Sequence, residues 1–269
     1  MTDLLSVTGG ALRECTLLAR EESGEGVFLL EFAVEPGGGT PEAPSPGQFY
    51  QIRCGSGREH MLRRPLSAHG AKLESGMLKV SFLVEIAGWG TEKLCSLVPG
   101  ERVSMLGPLG RGFVLDGVGK ALLIAGGIGV APLFFLAREM EKAGVAYDLL
   151  AGFNTGDKYY RPLDDLNGSV VACTEDGSLG KRGLACDALA GYLARGYDAV
   201  YACGPEAMMS EAAGKCEVAG VPCQVSLDSR MACGIGACRG CVREGSDGRN
   251  LCVCSEGPVF DSRKVSWRK

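Results

Sequence analysis

The chain has 269 residues, 46% of them hydrophobic, enough for two packed domains and a small appendage. Its net charge of −4 and pI near 5.4 leave no basic stripe to neutralise phosphates, which argues against a nucleic-acid partner. Met1–Arg20 lacks a basic segment followed by an apolar run, and Ala121–Leu136 is broken by three glycines and a proline. Neither a signal peptide nor a membrane span is therefore expected, and the expected location is the cytoplasm.

Residues 1–115 read as a β-rich first domain. Short alternating runs such as 27–32, 48–53 and 78–84 are bounded by Gly, Pro and Ser clusters, with no helical pattern between them. That arrangement predicts a small antiparallel barrel. The Pro/Gly-rich stretch 35–47 is expected to be an exposed loop between strands. Within this region Arg64-Pro65-Leu66-Ser67 offers a guanidinium that can fork onto a pyrophosphate and a hydroxyl that can reach a flavin edge. Gly88-Trp-Gly90-Thr91 precedes an expected helical stretch at 92–97, whose N-terminal N–H groups would make a phosphate seat. Each motif alone matches a solvated arginine or a plain turn. Their order ahead of a nucleotide-type sheet gives the pair its weight.

The pattern changes near residue 116, and 116–220 reads as a second domain. Lys120–Ala125 is an all-apolar run, as in a strand buried on both faces. Helical periodicity follows over 132–143. Strand-like runs recur at 147–153, 169–173 and 199–203, with helical segments at 185–194 and 206–219. Strand–helix alternation of this kind predicts a doubly wound parallel sheet, so the expected fold class is β-barrel plus α/β. Gly126-Gly127-Ile128-Gly129 and Pro132 lie between the first buried strand and its helix, where glycines permit close approach of a dinucleotide pyrophosphate. They do not spell Gly-x-Gly-x-x-Gly, which disfavours a standard Rossmann dehydrogenase. Cys203-Gly204-Pro205 ends a later strand at the carboxyl edge, where ligands of open α/β sheets bind. Cys203 there reads equally as a structural residue or as one facing a nicotinamide. Glu175-Asp176 reads as a solvated turn, and His60 and His69 as bystanders.

After residue 221 the chain is expected to be a loop-rich, cysteine-rich lobe. Four residues separate Cys233 from Cys238, two separate Cys238 from Cys241, and twelve separate Cys241 from Cys254. This is plant-type [2Fe–2S] spacing, and the glycines between let the backbone aim N–H groups at sulfur. A Zn(Cys)4 site is the plainer alternative, but it more often pairs two C-x2-C halves. Cys252 also lies within reach as the fourth ligand, with Cys254 favoured. The remaining eight of the thirteen cysteines are scattered and read as small buried hydrophobes rather than disulfide partners.

Three features come in a fixed order: Arg-Pro-x-Ser with Gly-x-Gly-Thr, then Gly-Gly-Ile-Gly-x-Ala-Pro with Cys-Gly-Pro, then the cysteine loop. This order resembles the ferredoxin reductase superfamily and, within it, the electron-transfer subunits of class 1B (NAD-dependent) dihydroorotate dehydrogenases. The resemblance is most specific at Arg230–Cys238, Cys254–Phe260 and Thr174–Gly183, and it covers essentially the whole chain. It implies FAD in the barrel, held by Arg64, Pro65, Leu66, Ser67, the strand Leu83-Val84-Glu85, and Gly90-Thr91. It implies NAD in the α/β domain and one [2Fe–2S] cluster on Cys233, Cys238, Cys241 and Cys254. The implied partner is an FMN-containing catalytic subunit, two copies of each making a heterotetramer in de novo pyrimidine (UMP) synthesis. One departure is Leu66, which stands where many relatives carry an aromatic that stacks on the flavin. Other functions compatible with the same motifs are a related subunit of a ferredoxin:NADP oxidoreductase, a sulfide dehydrogenase or a hydrogenase diaphorase. A zinc-stabilised module without redox function is a further alternative.

Overall fold

The computed structural model describes residues 10–36, 41–55 and 61–267; His60 lies outside them. The first half of the chain contributes β1 (Ala11–Gly24), β2 (Val27–Val34), β3 (Phe49–Ile52), β4 (Arg64–Ser67), β5 (Gly70–Glu74), β6 (Met77–Glu85), α1 (Trp89–Cys95) and β7 (Arg102–Leu109). These strands form one antiparallel sheet in the order β4-β3-β7-β1-β2-β6-β5. The two edge strands are consecutive in the chain. Ala68 N–H donates to Gln48 O (2.9 Å) on one side and His69 N–H to Ser81 O (2.9 Å) on the other, so the sheet curls and its edges meet. Alternation along β2 and β6 puts Leu30, Phe32, Val80, Phe82 and Val84 inside the curl. Pro65 sits on an edge strand, where its missing N–H breaks no central ladder.

The second half contributes β8 (Lys120–Gly126), α2 (Val130–Ala143), β9 (Ala146–Phe153), β10 (Ser169–Thr174), β11 (Lys181–Arg182), α3 (Leu189–Leu193), β12 (Ala199–Cys203), α4 (Glu206–Ala219) and β13 (Cys223–Ser226). A small hairpin, β14 (Val242–Glu244) and β15 (Asn250–Cys252), leads through α5 (Val253–Glu256) to β16 (Val259–Asp261). The sheet order is β11-β10-β9-β8-β12-β13-β16, parallel except for β16. Alternate residues of β8 face opposite layers. Leu123 and Ala125 meet α2, whereas Leu122 and Ile124 join the layer containing α3 and α4. Because both faces are covered, the strand is apolar from Ala121 onward.

Several expectations are corrected. The loop-rich stretch after residue 221 also carries strands, β13 continuing the parallel sheet and β16 pairing antiparallel at its edge. Four-residue and three-residue strands carry too little periodicity to read. Helix α1 starts at Trp89 rather than Glu92, which places Gly90 inside its first turn. The described part of the Pro/Gly stretch is not wholly exposed: Pro41, Pro44 and Gly47 are buried, and Gly47 lies against Val259 and Phe113. Of the eight scattered cysteines seven are buried, and Cys203 is half-buried. His69 is no bystander. It is buried where the barrel meets α2, accepting or donating at Tyr160 Oη (2.9 Å) and Ser81 Oγ (3.2 Å). Among the described residues no helix is long and apolar enough to cross a membrane.

Candidate cofactor sites

In the nucleotide-type sheet the chain runs from β8 outward to β9 and β10, then returns to the other side of β8 as β12 and β13. Strand order therefore reverses between β8 and β12, and a crevice opens at their carboxyl ends. The loops after these two strands are in backbone contact there. A methyl on Gly129 would collide with the Cys203 carbonyl, and one on Gly204 would lie 2.8 Å from Gly126 Cα. These two glycines thus serve loop-against-loop packing. Gly127 differs: its φ is +51° and a Cβ would project into open space, leaving a bare backbone at the crevice.

A cavity of about 550 Å³ occupies this crevice and extends to the barrel. Pro65, Leu66 and Ser67 of β4 and Leu83, Val84 and Glu85 of β6 form its barrel wall. Gly126, Gly127, Gly129 and Pro132 form the α/β wall, with Cys203, Gly204 and Pro205 beside them. Its volume and mixed lining suit a cofactor-sized ligand. Burial pushes the Cys203 thiol up to about 12, opposed in part by hydrogen bonding with Ser226, so it is uncharged at neutral pH. A smaller cavity of about 150 Å³ shares Glu85, Gly127 and Ile128 and continues to Asn154.

Arg64, Gly90 and Thr91 do not line the cavity but lie together beside it. The Arg64 guanidinium rests where a side chain at Gly90 would stand, and Arg64 Nη1 donates to Leu62 O (2.7 Å). Thr91 Oγ1 accepts from Ala87 N–H (2.9 Å) and donates to Gly88 O (3.0 Å), so its hydroxyl holds the turn that opens α1. Sequence reasoning missed Phe49, Ala87, Ile128, Ala131, Ser226, Leu227, Asp228, Met231 and Pro258, which complete the lining. Ser226–Asp228 follow β13 at the carboxyl edge, and recognising that strand would have pointed to them.

The cysteine loop closes on the strands that carry this cavity. Ile235 N–H donates to Cys233 Sγ (3.5 Å), as does Cys238 N–H (3.4 Å). Gly240 N–H donates to Cys238 Sγ (3.4 Å), Cys254 N–H to Cys241 Sγ (3.4 Å), and Gly236 N–H to Cys254 Sγ (3.1 Å). Each of the four sulfurs in the plant-type spacing therefore accepts a main-chain donor, the environment that stabilises thiolate ligands. Hydrogen bonds from the Cys233 and Gly240 backbones draw the Cys238 thiol down to about 7. Cys252 differs. Its sulfur lies 3.8 Å from both Cys241 Sγ and Cys254 Sγ, and among the described residues no main-chain donor reaches it. The three sulfurs of Cys241, Cys252 and Cys254 all lie within 4.8 Å of one another. Cys233 and Cys238 lie outside this close group of three, and of the two adjacent cysteines Cys254 is the one whose sulfur accepts a main-chain donor.

Residues 228–266 match the family described as the iron–sulfur cluster binding domain of dihydroorotate dehydrogenase B. The chain is 41% identical over 231 residues to the dihydroorotate dehydrogenase B (NAD(+)) electron transfer subunit of Desulforamulus reducens, covering 82% of this chain and 87% of that one. The corresponding subunit of Fusobacterium nucleatum is 34% identical, covering 93% and 96%. Among solved structures, the chain is similar to an NADH-dependent reduced ferredoxin-NADP oxidoreductase studied for flavin-based electron bifurcation. The TM-score is 0.80 with 29% identity, covering 94% of this chain and 89% of that one. A ferredoxin reductase of carbazole 1,9a-dioxygenase shares the fold at TM-score 0.66 and 22% identity, covering 79% and 67%.

Proposed function

The chain belongs to the family of dihydroorotate dehydrogenase B (NAD(+)) electron transfer subunits, and from that premise we propose that it passes electrons from the FMN of a dihydroorotate dehydrogenase catalytic subunit, through [2Fe–2S] and FAD, to NAD+ in de novo pyrimidine (UMP) synthesis. The observation that carries this reading is that residues flanking the cysteine loop line the cavity. Met231 and Pro258 line the cavity, and they stand close in sequence to Cys233 and Cys254. Two cofactor sites thus abut within one chain.

FAD, when bound, supplies the exchange between two-electron hydride transfer and one-electron transfer, and the cluster carries single electrons. The protein's own residues position these groups. Ser67 and the Leu83–Glu85 strand end hold the flavin in the barrel, and Arg64, anchored over Gly90, neutralises its pyrophosphate. The bare backbone at Gly127 and the start of α2 would receive the nicotinamide dinucleotide, and Pro205 and the uncharged Cys203 would line its site. Cys233, Cys238, Cys241 and Cys254 hold the iron. FAD falls to residues up to about 115, NAD to the α/β sheet and the cluster to the lobe after 221, with β13 and β16 tying that lobe to the sheet. The partner is the FMN-containing subunit, two of each forming a heterotetramer that works in the cytoplasm.

The likeness to the NADH-dependent ferredoxin-NADP oxidoreductase supports a second reading, in which the partner is another flavoprotein subunit. Purified alone, the chain should be yellow-brown, contain acid-labile sulfide, and oxidise NADH with an artificial acceptor but not oxidise dihydroorotate. Adding an FMN-type catalytic subunit should give dihydroorotate-dependent NAD+ reduction. Reconstitution by a ferredoxin:NADP partner instead would favour the second reading. Zinc without sulfide would sink both.

A further inference from the structure

Gln51 of β3 is fully buried, and neither its Nε2 nor its Oε1 has a hydrogen-bond partner within the described chain. An amide buried without partners is costly and calls for a partner from outside the described chain. The position of the side chain indicates which. Along β3, Tyr50 and Ile52 enter the barrel core, so Phe49 and Gln51 face the other way. Phe49 lines the cavity, and Gln51 is paired across the ladder with Pro65, which lines it too.

The far end of Gln51 reaches the cysteine loop. A Cβ at Gly234 would lie 2.7 Å from Gln51 Cγ and 3.1 Å from Nε2, and Gly234 itself holds φ at +74°. The loop therefore takes a left-handed glycine next to Cys233 at the point where the amide comes up from the barrel. Chain polar groups do not satisfy that amide, and its nitrogen lies against Gly234 of the cysteine loop.

We propose that Gln51 is a positioning residue that links the flavin barrel to the iron–sulfur centre, its Nε2–H donating to a sulfur of the cluster bound at the Cys233–Cys238 loop. The inference rests on the reading of this lobe as a [2Fe–2S] site. A donor to cluster sulfur stabilises the more negative, reduced form and so raises the reduction potential. Because the same strand lines the cavity through Phe49, the residue ties the tuning of the cluster to the wall of its redox neighbour.

The test uses the intact chain with its cofactors. In Gln51→Met, which keeps most of the volume and removes both polar atoms, iron, sulfide and flavin contents should match those of the native protein. The midpoint potential of the cluster should fall while that of FAD stays put. Gln51→Leu, which likewise removes the donor, should lower it to a similar extent. Should both variants misfold, the native protein decides. The chain has three glutamines, and the side-chain nitrogens of Gln48 and Gln224 donate to Gly110 O and Val114 O. Labelling glutamine side chains with 15N should therefore give a hyperfine coupling to the reduced cluster in pulsed EPR that comes from Gln51. An unchanged cluster potential in the variants, a shift confined to FAD, or no 15N coupling in the native protein overturns the proposal. Absence of iron and sulfide from native protein would instead overturn the underlying reading.

Discussion

The imidazole of His69 lies flat on the ring of Phe134, centroids 4.7 Å apart and planes 8° from parallel. His69 follows the barrel edge strand β4, and Phe134 is on α2, so the contact joins the two halves of the molecule. Tyr160 meets both rings edge-on.

This contact makes stability depend on pH. Burial pushes His69 down to about 4 from an ordinary value near 6.5. Between these values the unfolded chain binds a proton that the native chain does not. Stability from this site is thus complete above pH 6.5 and is lost progressively as pH falls to 4. The loss amounts to about 3 kcal/mol at about 1.36 kcal/mol per unit. Thermal unfolding of native protein and His69→Gln should show the native chain losing ground to the variant as pH drops from 7 to 4. Parallel curves would refute this.

Glycines at the crevice separate packing from binding. Gly129→Ala drives a methyl into the Cys203 carbonyl, and overpacking of this kind costs about 1–3 kcal/mol. Gly127→Ala meets no atom but must hold a left-handed φ, at about 1–2 kcal/mol. The first should lower the melting temperature more than the second. Gly127→Ala should raise the KM for NADH with flavin content unchanged, as steady-state kinetics on the folded variant would show.

Arg64 is held by Leu62 O and by the space that Gly90 leaves open, a fixed guanidinium rather than a solvated one. A charge-assisted hydrogen bond is worth about 1.5–3 kcal/mol, so Arg64→Ala should weaken FAD retention by about tenfold to a hundredfold. Arg64→Lys should restore little of it, because a point charge cannot reproduce the planar fork. Flavin fluorescence during dilution would measure the release.

Much of this arrangement is legible in the sequence where a motif coincides with a long element. The run Ala121–Ala125, the helix 132–143 and the cysteine spacing each carry their own periodicity or chemistry. Short strands do not. Cys223–Ser226 and Val259–Asp261 draw their place from pairing with distant strands, so Ser226 and Pro258 could not be read as cavity walls. Nor could Gln51 or His69, which are ordinary polar residues in their local runs and become buried only when two distant segments close on them.

The fourth iron ligand gives the sharpest separation between neighbours. Cys254 accepts an N–H from Gly236, inside the loop that carries Cys233 and Cys238, whereas among the described residues the Cys252 sulfur has only the sulfurs of Cys241 and Cys254 as hydrogen-bond partners. A thiolate that already has its main-chain donor is the one the fold has prepared for metal. Cys254→Ala should therefore lose most of its acid-labile sulfide and its reduced-state EPR signal, while keeping flavin absorbance. Cys252→Ala should keep full iron content and an EPR signal of native intensity. The opposite pattern would move the ligand to β15, since Cys252 ends that strand and Cys254 lies within the turn of α5.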